Sequence, residues 1–314
     1  MMKISNNLTS PVSTFHLTGI PGLEEAHAWI SIPSFCLYAT ALLGNSMILF
    51  VIVREQSLHE PMYYFLSMLS ATDLGLTIST MSTTLVNILW FDAREISLDG
   101  CIVQMFFLHG FALMESGVLV AMAFDRFIAI CDPLRYTTIL TNARISQLGM
   151  AMVIRMTVLM LPLVLLLKKL SFCGPNGLSH SYCYHPDVIK LSCSDTKVNS
   201  MCGLAALILS TGIDTPCIGL SYILIIRSVL SIASPKEQYK AFSTCASHIG
   251  AVAIFYTPLI SLSLVHRYGQ LAPKIVHTMM ANMYLMIPPV LNPILYSAKT
   301  SQLRKVVGKL LLAK

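Results

Sequence analysis

Seven apolar stretches, each close to the ~20 residues that cross a hydrocarbon core roughly 30 Å thick, recur at about residues 30–53, 60–85, 98–124, 145–167, 200–226, 241–265 and 274–297. Inside lipid no water satisfies a backbone amide, so each stretch has to close its own hydrogen bonds as a helix. The predicted fold class is therefore all-α, a bundle of seven transmembrane helices. Charge usage agrees: 55% of the 314 residues are hydrophobic and 11% charged, and the mean hydropathy is +0.69. A soluble surface draws on roughly 25% charged residues. The second stretch is the least uniform, because Ser67, Ser70, Thr72, Asp73, Thr77, Ser79 and Thr80 interrupt it. Such a stripe is expected to face protein and not lipid.

The first residues lack the basic start and short apolar core of a cleaved signal peptide, so insertion is expected to rely on the first helix itself. Asn7-Leu8-Thr9 is a glycosylation sequon, usable only if the N-terminus is luminal. With that terminus outside, twelve of the 21 Lys and Arg residues fall on the cytoplasmic side, eight outside, and Arg155 within the fourth span. The bias follows the positive-inside rule. The net charge of +6 then reads as membrane orientation, with no stacking aromatics or basic block that would suit nucleic acid. Neither an internal repeat of the transporter kind nor a low-complexity tract is present. Function is expected to reside in the bundle and its loops.

The third stretch serves as a ruler. Cys101 and Arg126 are 25 residues apart, roughly 37 Å on a continuous helix rising about 1.5 Å per residue. Cys101 is expected outside, where thiols oxidise, together with Cys173, Cys183 and Cys193 in the long loop between spans four and five. Four cysteines allow three pairings, which spacing leaves open. His180, Cys183 and His185 in "HSYCYH" are suitable zinc or copper ligands, but their spacing matches no closed metal site. Glu115 lies 14 residues below Cys101, and Asp73 lies 12 beyond Pro61, where the second span begins. Both therefore reach mid-membrane, where a carboxylate is costly and marks a candidate functional site. The expectation is a shared polar cavity holding Na⁺; protonated acids bonded to nearby hydroxyls are the alternative.

Gly44-Asn45, "LHEPMYYFLSMLSATD" at 58–73, "MAFDRFIAIC" at 122–131, "KAFSTCASH" at 240–248 and "PPVLNPILY" at 288–296 resemble the signatures of vertebrate olfactory receptors, which are rhodopsin-like G-protein-coupled receptors. The three-cysteine loop "SFCGPNGLSHSYCYHPDVIKLSC" is similar to that of the fish-like, class I branch. The resemblance covers essentially the whole chain. It implies an extracellular segment at 1–29 and a bundle at 30–298, with the third helix at about 98–130 and the second extracellular loop at about 168–199. An amphipathic cytoplasmic helix and C-terminus follow at 299–314. It also implies disulfides Cys101–Cys183 and Cys173–Cys193.

The same resemblance assigns Asp125 and Arg126 to the cytoplasmic end of the third helix, with the arginine restrained at rest and freed for a G protein. Phe127 stands where the family often has Tyr. Tyr222, Asn292, Pro293 and Tyr296 take the activation roles, Pro293 as a hinge because it cannot donate a backbone hydrogen bond. For the ligand, the resemblance points to a small odorant in the outer third of the bundle. His109, His185, Leu207, Phe255, Tyr256, Ser263 and Arg267 are the expected contacts. Arg267 is the expected anchor of a carboxylate, since a guanidinium presents two parallel donors. Pro186 departs from the polar residue that acid-binding relatives can carry there, which favours a longer or less polar ligand. The implied partners are that odorant, a stimulatory, olfactory-type heterotrimeric G protein raising cAMP, and membrane lipid; the implied location is the plasma membrane. No cofactor is expected beyond Na⁺. A membrane channel or transporter is the rival, but Asp73, His109, Glu115, Arg155 and Asp214 do not fall on evenly spaced turns of one helix. An intramembrane enzyme fares worse, because HExxH is absent: Pro61 follows His59-Glu60.

Overall fold

The computed structural model describes residues 14–17, 27–85, 91, 93–173, 176–178, 180–268, 273–299 and 301–312. Asn7 lies outside them, as do the side chains at 27, 28, 266–268, 274, 299, 301 and 309–312, Arg267 included. Among the described residues seven long helices form the bundle: α1 (His27–Arg54), α2 (Pro61–Met81), α3 (Leu98–Cys131), α5 (Asn142–Leu167), α7 (Lys197–Leu230), α8 (Pro235–Tyr268) and α9 (Lys274–Lys299). Short helices α4 (Tyr136–Ile139) and α6 (His185–Lys190) lie in the loops, and α10 (Ser301–Leu312) follows the seventh span.

Local chemistry sets the ends. Pro61 opens α2, where its missing N–H costs nothing. Ser97 caps α3 by accepting from the Gly100 amide at 3.1 Å, with Asp99 in the first turn beside the positive end of the helix dipole. Thr141 caps α5 in the same way through the Arg144 amide. Among the described residues five spans are long and apolar enough to cross a membrane on length and composition alone, and α2 and α9 are not among them. They turn polar residues inward instead: Ser70, Thr72, Asp73, Thr77 and Thr80 of α2, and Thr278 and Asn292 of α9, are all buried. Five of the seven residues of the expected inward stripe are thus buried, and Ser67 and Ser79 are half-buried. Large apolar residues such as Trp29, Leu43, Val53, Val158 and Leu220 point outward, as a lipid-facing surface requires.

Helix α3 is the axis, packed against α2, α5, α7 and α8. At 34 residues it is roughly 51 Å long, which exceeds the hydrocarbon thickness, so its two ends reach both faces. One end is capped by a three-stranded sheet of β1 (Thr14–Leu17), β2 (Glu95–Ser97) and β3 (Gly177–Leu178), in the order β2-β1-β3. Thr14 faces Ser97 in the antiparallel pair and His16 faces Gly177 in the parallel one. Phe15 and Leu17 enter a satellite core with Cys101, Phe172, Leu178 and Cys183. Disulfides join Cys101 to Cys183 and Cys173 to Cys193, with Cα–Cα distances of 5.4 and 6.0 Å. At the other end, the Arg126 end, α10 buries Leu303 against the bundle. Gln302 donates to the Ser57 carbonyl at 2.9 Å and accepts from the Tyr63 hydroxyl at 3.1 Å.

Candidate ligand cavity and signalling core

Below the capped end lies a cavity of about 500 Å³ walled by α3, α5, α7, α8, α9 and the α6 loop. Its lining is mostly apolar, including Leu113, Met160, Leu163, Leu207, Phe255 and Leu262, which suits a small organic ligand. Two imidazoles break that surface. His109 and His185 both line the cavity, and the Nε2 atom of each is buried without a hydrogen-bond partner. Buried polar atoms of that kind are rare and ask for a partner. Burial lowers the His185 pKa to about 4, so the ring is neutral at pH 7 and can donate or accept one hydrogen bond. Cys183, two residues earlier, hangs the loop from α3 through its disulfide, while its amide donates to Gln104 Oε1 at 3.0 Å. His185 is thereby held over the cavity.

Of the expected contacts, His109, His185, Leu207, Phe255 and Ser263 line the space. Tyr256 does not; it lies beneath, its hydroxyl 2.7 Å from Ser116 Oγ. Arg267 has no described side chain. The "HSYCYH" residues form no metal set: Cys183 is committed to Cys101, and His180 Nδ1 bonds Asp187.

The floor is a polar bridge across four helices. Ser116 Oγ of α3, itself part of the lining, donates to Asp214 Oδ2 of α7 at 2.5 Å and meets Tyr256 of α8. Arg155 of α5 donates to the same Asp214 oxygen at 2.8 Å. Sequence alone flags Asp214 and Arg155 as intramembrane charges; their partnership depends on two helices facing each other.

The family model described as olfactory receptor matches residues 35–314. The chain belongs to the olfactory receptor family. It is 70% identical over 313 residues to human olfactory receptor 51F1, covering all of this chain and 98% of that protein. To human olfactory receptor 51F2 it is 64% identical, covering all of this chain and 91% of that one. Both agree with the class I branch. The crystal structure of squid rhodopsin superposes with a TM-score of 0.72 at 15% identity, over 93% of this chain and 87% of that one, a likeness of fold. The olfactory receptor is accordingly a multi-pass membrane protein that takes a small odorant and couples to a heterotrimeric G protein; it is a signalling receptor and no enzyme. The channel or transporter reading is set aside.

The receptor's core below the floor explains the family motifs physically. Pro293 has no N–H, which strands the Pro289 carbonyl one turn earlier. Asn45 of α1 donates to that carbonyl at 2.8 Å. A Cβ on Gly44 would lie 3.0 Å from the Pro293 ring, so glycine permits the approach. Nearby, Asn292 Nδ2 donates to Asp73 Oδ2 at 3.1 Å and to Glu115 Oε1 at 3.3 Å, joining α9, α2 and α3.

At the Arg126 end of the receptor, Arg126 Nε is 3.9 Å from Asp125 Oδ2, and Tyr136 donates to Asp125 Oδ1 at 2.7 Å. Burial, then the neighbouring carboxylate, pushes the Tyr136 phenol up, so it remains a donor. Tyr222 of α7 meets His248 Nδ1 of α8 at 2.7 Å, and His248 Nε2 lies 3.0 Å from the Leu119 carbonyl of α3. Tyr296 is buried against Met122, its hydroxyl 3.9 Å from the sulfur. Neither Tyr136 nor His248, which closes the "KAFSTCASH" motif, is given a role by sequence reasoning; their partners lie on other elements, which no local pattern pairs.

Proposed function

We infer that this receptor recognises a carboxylic-acid-like odorant and activates a stimulatory, olfactory-type G protein to raise cAMP. It does so from the plasma membrane, with the capped end and a glycosylated Asn7 outside. The observation that carries the ligand reading is the apolar cavity lined by His109 and His185, whose buried Nε2 atoms have no hydrogen-bond partner. Arg267, one turn above Ser263 on α8, supplies the guanidinium that pairs with the carboxylate. Size favours a chain over a short acid: an apolar cavity of roughly 150 Å³ holds benzene, so about 500 Å³ accommodates a considerably longer molecule. Pro186 in the lining adds no hydrogen bond, in keeping with an extended apolar tail.

Activation is a population shift, in which the ligand binds the active arrangement more tightly than the resting one. The Ser116–Asp214–Arg155–Tyr256 bridge lies directly under the ligand, so contraction of the cavity bears on four helices at once. Asp73, Glu115 and Asn292 would hold Na⁺, whose oxygen preference they match, and the ion would favour the resting bundle. Lipid covers the outward apolar faces, and α10 lies along the inner leaflet.

The test is a cAMP response screen over saturated acids from hexanoic to dodecanoic and the matched alcohols, with Arg267→Ala beside the parent. Acids should activate the parent and lose potency on the variant. Equal responses to acids and alcohols in both proteins would refute the charge anchor.

A further inference from the structure

We propose that the cavity opens between α6 and α7, and that Lys190 is the cation that receives the carboxylate of the arriving ligand there; this rests on the acidic-odorant reading above. The argument starts from which lining residues meet solvent. No lining residue on the α8 and α9 walls is exposed: Phe255 and Leu262 are each 2% exposed, Tyr284 is 7% exposed, and Leu259 and Ser263 are half-buried. His185 overhead is 6% exposed. Of the lining residues, Lys190 at the end of α6 and Ser200 in the first turns of α7 are exposed, with Pro186 and Thr196 half-buried between them. The opening is therefore on the α6–α7 side.

Lys190 is also the one lining side chain that carries a formal charge among the described residues. Its side chain is 61% exposed, and Nζ lies 3.6 Å from Asp187 Oδ1. Asp187 is itself buried and bound through its other oxygen to His180. At 3.6 Å the contact is longer than a hydrogen bond, so the ammonium keeps donors for an incoming anion. Asp187 and His180 hold α6 in place, which keeps the ammonium at the opening. A lysine suits such an entrance, because it is a mobile point charge that steers, where the planar guanidinium of an arginine clamps. Steering by an exposed charge has a signature, because salt screens it over about 8 Å at physiological ionic strength.

The experiment uses the full-length receptor in cells, with surface level followed by flow cytometry. Half-maximal concentrations of decanoic acid and decanol are measured in normal medium and in medium where sucrose replaces most of the sodium chloride. The parent should respond to the acid at lower concentration when salt is reduced. Lys190→Gln should raise the acid's half-maximal concentration by roughly tenfold, leave decanol unchanged and flatten the salt response. Lys190→Arg, which retains the charge, should restore most of the potency. An acid preference in the parent that survives intact in Lys190→Gln overturns the entrance role while leaving the acid reading standing. A parallel loss for decanol also overturns it, since that marks a structural part for Lys190. A parent indifferent to every acid of the hexanoic-to-dodecanoic series sinks the acid reading and this role together.

Discussion

Replacing Arg155 by Met should be among the most damaging single changes in the bundle, and the asymmetry of its ion pair says why. Asp214 is 4% exposed at its side chain, whereas Arg155 is 29% exposed. Removing the arginine leaves a buried carboxylate that, among the described residues, keeps the Ser116 hydroxyl as its hydrogen-bond donor, and stranding one member of a buried pair costs about 3–5 kcal/mol. Removing the acid instead, as Asp214→Asn, keeps an amide oxygen as acceptor for the guanidinium; about 1–2 kcal/mol is expected. The double variant should recover at least ~2 kcal/mol relative to Arg155→Met, because it no longer buries an unpaired charge. Thermal unfolding of receptor in detergent reads these values. At roughly 2 °C per kcal/mol for a chain of this size, Arg155→Met should melt ~6–10 °C below the parent, and the double variant several degrees above Arg155→Met. A double variant that falls by the sum of the two singles would show that the two charges are not coupled, and would remove the bridge from the mechanism.

Four further outcomes follow from named residues. Gly75→Ala would drive a Cβ to 2.5 Å from the rigid Phe111 ring and should cost about 1–3 kcal/mol in thermal denaturation. Gly110→Ala meets the flexible end of Met156 at the same distance and, with the helix preference for Ala worth about 1 kcal/mol, should be neutral or stabilising. For His185, burial lowers the folded pKa from 6.5 to about 4, so between those values the unfolded chain binds more protons. Stability should accordingly fall as pH drops from 7.5 to 5, more steeply than in His185→Gln; equal slopes in the two melting series would contradict the burial argument. Sodium should raise the melting temperature of the parent over N-methylglucamine at equal ionic strength, and Asp73→Asn should abolish the difference; an undiminished difference would remove Asp73 from the ion site.

The helices were legible because lipid imposes a rule on each segment separately: enough apolar residues, all amides paired internally. The inward stripe of α2 could be anticipated for the same reason, since Asp73 and its neighbouring hydroxyls cannot face hydrocarbon. The sheet that caps the bundle could not. Its strands are four, three and two residues long and lie far apart in the chain, so no local periodicity announces them. Tyr256 illustrates the limit of assigning contacts from position: it is adjacent to the cavity-lining Phe255, yet a helix turns successive residues about 100° apart, and its hydroxyl ends under the floor.

What the amino-acid sequence determined by itself was the solvent, the number of spans, the buried acids and the motif order, all properties that accumulate along one segment at a time. The tertiary structure decided the partnerships: Arg155 with Asp214, Asn45 with the carbonyl that Pro293 strands, Tyr136 with Asp125, and the opening beside Lys190. Each depends on the rotation and depth of one helix relative to another, and those are set by how side chains of different helices pack, a quantity that no single stretch of chain contains.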